Sequence, residues 1–276
     1  MDTNHPQLIL FLLDNSGSMN EGFGAVSEAA DRAADMADRL LGGVLGALGR
    51  RVARETIRSV ASKVTVLNLG FNGALVSLNT CRATPADNCI LGTVRYGSDI
   101  RELFAPTPVQ ELLQKAGASW FSADLGMTNT VRAFRWAKEQ VDAYLARYPG
   151  LPKPWIVHIT DGIWNDGGDP TEVALGLMKN CLVFNALIDD HSEMKMARRE
   201  FAGYSNPADV QLHLAANLVE ISSRIPEEWI EAIRKVFPRV RVESRLFFPT
   251  GTEDLLKGVF EVVQELYAYL YGRKPA

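Results

Sequence analysis

The chain reads as short apolar runs set between longer stretches of helical period. Leu8 to Leu13 is a block of six apolar residues that stops abruptly at Asp14-Asn15-Ser16-Gly17-Ser18. A short continuous apolar run bounded by turn residues is the pattern of a strand buried on both faces, as in a parallel sheet. Trp155 to Thr160 and Leu182 to Ile188 have the same character, and Val240 to Phe248 is expected as a last strand. Lys63 to Gly70 (KVTVLNLG), rich in β-branched residues, is expected as a second strand. Ala74 to Leu78 and Leu91 to Arg95 are expected as shorter edge strands.

Between these runs the period changes. Residues of about Ala25 to Ser62 suit a long helix; as one rod it would run about 57 Å at 1.5 Å per residue, against about 23 Å for a seven-residue strand. The glycines Gly42, Gly43, Gly46 and Gly49 mark where it would kink or pack closely. A short helix is expected from Thr107-Pro108-Val109-Gln110, and longer ones over Gly126 to Arg147, Asp169 to Asn180, Asp209 to Phe237 with a break at Pro226, and Thr252 to Tyr271. Strand and helix alternate from end to end, which predicts an α/β fold with a doubly wound, mostly parallel central sheet flanked by helices. No linker or repeat divides residues 6–272, so one domain is expected.

Composition adds limits. With 276 residues, 47% of them hydrophobic, the chain can bury a sizeable core. A net charge of −4 with scattered Lys and Arg leaves no footprint for nucleic acid. No apolar run is long enough for a membrane span, and the start lacks a basic, apolar leader pattern, so a cytoplasmic protein is expected. Three cysteines fit a reducing compartment, with Cys81 and Cys89 spaced so that they could also close a small loop.

The chemistry lies where strands end. Asp14, Ser16 and Ser18 follow the first strand, Thr128 precedes a helix in Gly126-Met127-Thr128-Asn129, and Asp161 follows a strand in Thr160-Asp161-Gly162. In a parallel sheet all of these places share one edge. Alone, each has an ordinary alternative, a helix cap or a turn. Together they form an oxygen-rich set suited to a hard cation. Asn15, Met127, Ile163, Trp164 and Asn165 are expected on the rim. His158, inside a strand, is expected as a core histidine, and Asp189-Asp190-His191 as a solvated loop without a complete ligand spacing.

These residues resemble the metal-ion-dependent adhesion site of von Willebrand factor A domains. D-x-S-G-S-M at Asp14 to Met19, Thr128 in G-M-T-N and Asp161 in T-D-G match its three parts in order, and the resemblance covers about residues 6–272. The overlong first helical region and the Cys81–Cys89 segment depart from the family pattern. The resemblance implies that Ser16, Ser18 and Thr128 hold Mg²⁺ or Mn²⁺ through hydroxyls, with Asp14 and Asp161 acting through water and hydrogen bonds. It also implies an open position for an acidic side chain of a partner protein. Bacterial proteins similar in size act beside AAA+ ATPases or kinase–phosphatase sets, and an adaptor of that kind is the expected function. Two alternatives stand beside it. One is a metal-dependent hydrolase or phosphotransferase, for which the chain lacks G-x-x-x-x-G-K and G-x-S-x-G. The other is a structural subunit whose metal only steadies loops.

Overall fold

The computed structural model describes residues 6–20, 62–80, 89–112, 120, 126–149, 152–162 and 164–271. Among these, six strands form one sheet: β1 (Gln7–Asp14), β2 (Cys89–Tyr96), β3 (Ile100–Pro108), β4 (Trp155–Thr160), β5 (Leu182–Leu187) and β6 (Phe247–Pro249). Their order is β3-β2-β1-β4-β5-β6, and every neighbouring pair is parallel except β2 with β3. The fold is therefore α/β and doubly wound. Chain direction along the sheet reverses outward from β1, the place where such sheets open a crevice at their carboxyl edge.

Helices cover both faces. α1 (Lys63–Thr80), α2 (Val109–Leu112), α6 (Ile230–Arg234) and α7 (Glu253–Tyr271) contribute to one layer. α3 (Thr130–Arg147), α4 (Thr171–Met178) and α5 (His213–Glu220) contribute to the other. β1 shows why its apolar run is unbroken: Ile9, Phe11 and Leu13 enter the first layer, while Leu8, Leu10 and Leu12 enter the second. Phe11 packs edge-on against Phe71 of α1 at 5.3 Å and stacks with Phe260 of α7 at 6.0 Å. Burying such a side chain contributes about 1.5–3 kcal/mol.

Several expectations are corrected. Lys63 to Gly70 and Ala74 to Leu78 are not strands; both lie within the single helix α1. The crossover from β1 to the parallel strand β2 must pass over a sheet face, and a helix there buries Val66, Leu67, Phe71, Ala74, Leu75 and Leu78. That burial outweighs the β-branched composition. Leu91 to Arg95 belongs to β2, which is internal rather than an edge. The edge is β3, whose exposed charges and two prolines hide its strand character and suit an unpaired margin.

The stretch from Val240 is mostly turns, and only Phe247–Pro249 pairs with β5. Asp209 to Phe237 is divided because Ser222 and Ser223 turn back to the sheet: Ser223 Oγ accepts from Val183 N at 3.0 Å, and Asn185 Nδ2 donates to Ser222 Oγ at 2.9 Å. The expected helix over 25–62 and the Cys81–Cys89 loop fall largely outside the described residues. Cys89 and Cys181 are buried free thiols. No helix among the described residues is long and apolar enough to cross a membrane.

Gly70 shows how closely α1 is seated. A Cβ there would run into the ring of Phe260, which is itself buried. Alanine is the better helix former by up to about 1 kcal/mol, yet Gly70→Ala should destabilise the fold by about 1–3 kcal/mol through overpacking. Urea denaturation decides the sign.

Candidate metal centre

Strand register builds the centre. Asp14 ends β1 opposite Tyr96 of β2, and Leu13 pairs with Ile159 of β4, so Asp14 and Thr160 lie side by side. Both Asp14 oxygens are held: Ser16 N donates to Oδ1 at 2.9 Å and Thr160 Oγ1 donates to Oδ2 at 2.7 Å. Ser16 Oγ and Ser18 Oγ lie 3.1 Å apart, and Ser18 Oγ donates to Asp161 Oδ1 at 2.7 Å. Gly17 N donates to Gly126 O at 3.2 Å, tying the loop after β1 to the loop carrying Thr128.

Thr128 is braced from two sides. Its backbone N–H donates to Asn165 Oδ1 at 2.8 Å, and the preceding N–H, of Met127, donates to Ser98 Oγ at 2.8 Å. Asn129 caps α3 by accepting from Arg132 N at 3.1 Å. Gly126 sits at φ 71°, a backbone conformation that favours glycine, with Ser98 Oγ only 2.8 Å from where a Cβ would stand. The Cβ position of Gly162 lies 3.3 Å from Thr128 Oγ1 and 4.0 Å from Asp14 Oδ2. The hydroxyl and the carboxylate thus face a small space that a side chain at 162 would fill. Asp14, Ser16, Ser18, Thr128 and Asp161 are all at this edge.

Electrostatics sharpen the picture. Burial, followed by the nearby charge of Asp161, pushes the Asp14 carboxyl up from 3.8 to about 6, although hydrogen bonds from Thr160 and Ser16 pull the other way. Lys63, the first residue of α1, donates to Asp161 Oδ2 at 2.7 Å. The sequence reading missed it by placing it in a strand. It also missed Thr160, Ser98 and Asn129 as positioning groups, although Thr160 and Asn129 stand within the quoted motifs.

The rim differs from expectation in part. Met127 is 52% exposed. Asn15 is fully buried, because its backbone continues the β1–β2 pairing with Asn15 N donating to Tyr96 O at 2.8 Å. Trp164 is half-buried and packs on the second core layer. Asn165 is exposed yet spends its side-chain oxygen on Thr128 N. Ile163 lies outside the described residues.

The donor set fits a hard divalent cation. It consists of hydroxyls and carboxylates, and the 3.1 Å between the two serine oxygens matches the roughly 3 Å between adjacent oxygens of a magnesium octahedron. Among the described residues no group of three or more His, Cys, Asp or Glu converges, and this includes the Asp189-Asp190-His191 loop. There Asp189 accepts from His191 N at 2.7 Å.

No family model matches the chain, and no curated protein matches it. Solved structures do. PilB minor pilin from Streptococcus sanguinis is 9% identical, with 97% of this chain and 63% of that one covered at a TM-score of 0.53. A von Willebrand factor type A structure from Catenulispora acidiphila is 12% identical, covering 78% and 37% at 0.44. Manganese-loaded Plasmodium vivax TRAP protein is 17% identical, covering 67% and 58% at 0.42. The chain spans less than two thirds of the length of each. At 9% identity the likeness to the pilin is one of fold alone.

His158 lies behind the centre, in the core. Its Nδ1 bonds Asn185 Oδ1 at 2.7 Å and its Nε2 bonds the Tyr96 hydroxyl at 2.6 Å. Asn185 Oδ1 can only accept, so Nδ1 carries the proton, Nε2 accepts from Tyr96, and the ring is neutral. Burial lowers it from 6.5 to about 4. The unfolded chain therefore takes up this proton first, and the residue's contribution to stability is full above pH 6.5 and falls between 6.5 and 4. Asp14 has the opposite sign over part of this window. The stability difference between wild type and His158→Gln isolates the histidine and should shrink as pH falls through it. Parallel curves in chemical denaturation would refute this.

Proposed function

We propose that residues 6–272 form a von Willebrand factor A-type domain that binds partner proteins through a divalent cation, Mg²⁺ or Mn²⁺. The carrying observation is the gathering of Asp14, Ser16, Ser18, Thr128 and Asp161 at one sheet edge, with two buried carboxylates beside three hydroxyls. Ser16, Ser18 and Thr128 would hold the ion, and Asp14 and Asp161 would balance its charge. When bound, the ion supplies an electron-poor centre able to accept a carboxylate oxygen from outside.

The chain's own part is to keep that centre rigid. Asp14 is fixed by Ser16 N and Thr160 Oγ1, and Thr128 by Asn165. Exposed Met127 offers an apolar contact beside it. The partner is a protein presenting an Asp or Glu, and a component of an AAA+ ATPase or kinase–phosphatase system in the cytoplasm is the setting we favour. Binding is preferred to hydrolysis because the nearby histidine, His158, is neutral and enclosed in the core, hydrogen-bonded at both nitrogens and so unable to serve as a general base.

Saturating Mn²⁺ should raise the melting temperature by a few degrees through preferential binding to the folded state. Asp14→Ala should abolish that shift and the Mg²⁺-dependent capture of partners, while far-UV circular dichroism stays native. Capture that survives both EDTA and Asp14→Ala would reject the metal-bridged mechanism. Metal-dependent turnover of phosphate esters that is lost in Asp161→Ala would favour the enzyme reading instead.

A further inference from the structure

Lys63 carries an arrangement that the cation reading does not require. Its ammonium donates to Asp161 Oδ2 at 2.7 Å and reaches Ser18 O at 3.5 Å. The Asp161 side chain is fully enclosed and that of Lys63 is 12% exposed, so this is an enclosed ion pair rather than a surface one. The other Asp161 oxygen accepts from Ser18 Oγ. One carboxylate therefore engages, at the same time, an ammonium and one of the hydroxyls assigned to the ion.

The position of the lysine is informative. Ser62 caps α1, its Oγ accepting from Thr65 N at 3.2 Å, which makes Lys63 the first helical residue. A helix start carries partial positive charge and disfavours a cation. The helix therefore gives no reason for an enclosed ammonium here, whereas the carboxylate does. Charge counting then sets the consequence. Two carboxylates and one ammonium leave the centre at −1. A divalent ion added with the ammonium retained would leave +1, with two cations sharing Asp161; added with the ammonium withdrawn, it leaves the centre neutral. The four-carbon stem lets the ammonium leave for solvent while the helix stays seated.

We propose that Lys63 is a tethered counter-ion that occupies Asp161 in the metal-free protein and competes with the divalent ion for it, setting the concentration at which the centre loads. This rests on the reading of the five-residue set as a cation site. The ammonium and the metal define two alternative states of one carboxylate, so loading displaces the lysine toward the rim that a partner would meet.

The test measures Mn²⁺ affinity by isothermal titration, together with melting in EDTA, for wild type, Lys63→Met and Lys63→Gln. Methionine keeps an apolar stem of similar length, and glutamine provides a polar control if methionine perturbs packing. Both variants should bind Mn²⁺ roughly tenfold tighter, the scale of one charge-assisted hydrogen bond no longer broken on loading. Both should melt lower than wild type in EDTA, and that loss should vanish in an Asp161→Asn background. Equal or weaker Mn²⁺ binding by both variants, with wild type still binding, would overturn the competition and leave the cation site standing. If no protein of the set binds Mn²⁺, the cation site fails and the competition with it.

Discussion

Two carboxylates held close together at buried strand ends are the constraint on which this structure turns. Asp14 ends β1 and Asp161 directly follows β4, its parallel neighbour, so strand pairing brings the two carboxylates to the same sheet edge. Burying like charges side by side is unfavourable unless donors and cations surround them. The surrounding features answer that demand: the amide of Ser16, the hydroxyls of Thr160 and Ser18, and the ammonium of Lys63. Burial, followed by the charge of Asp161, still lifts the Asp14 carboxyl toward 6.

The layers behind the edge make that preference durable. β1 is enclosed on both sides, and Phe11, Phe71 and Phe260 lock it between α1 and α7. On the opposite face, Tyr96, His158 and Asn185 run a buried polar chain across the sheet with the central histidine held neutral. Charge is thus concentrated at the edge, where Asp161 pairs with Lys63, and the interior chain carries none.

The sequence made some of this legible and not the rest, for identifiable reasons. β1, β4 and β5 could be read directly because strands buried on both faces are apolar at most positions, here interrupted only by Gln7, Asp14, His158, Thr160 and Asn185. The three polar clusters could be placed together because a parallel sheet has only one carboxyl edge. α1 could not be read, since KVTVLNLG carries a strand's composition. Its helical state comes from the crossover it must make, and it leaves Leu69 and Val76 exposed at 60% and 47%. β3 was hidden by its charges and prolines. Asn15 was misplaced because strand pairing continues one residue past Asp14. Lys63 gave no sign of its role, because a contact between residues 63 and 161 exists only once the helix is laid on the sheet.

The reach of Lys63 to Ser18 O has a topological meaning as well. Through Ser18 O and Asp161 Oδ2, one side chain of α1 touches both the loop that follows β1 and the turn that follows β4. A helix is thereby tied to two neighbouring strand ends at once, so any shift of its first turn would be felt in both loops together.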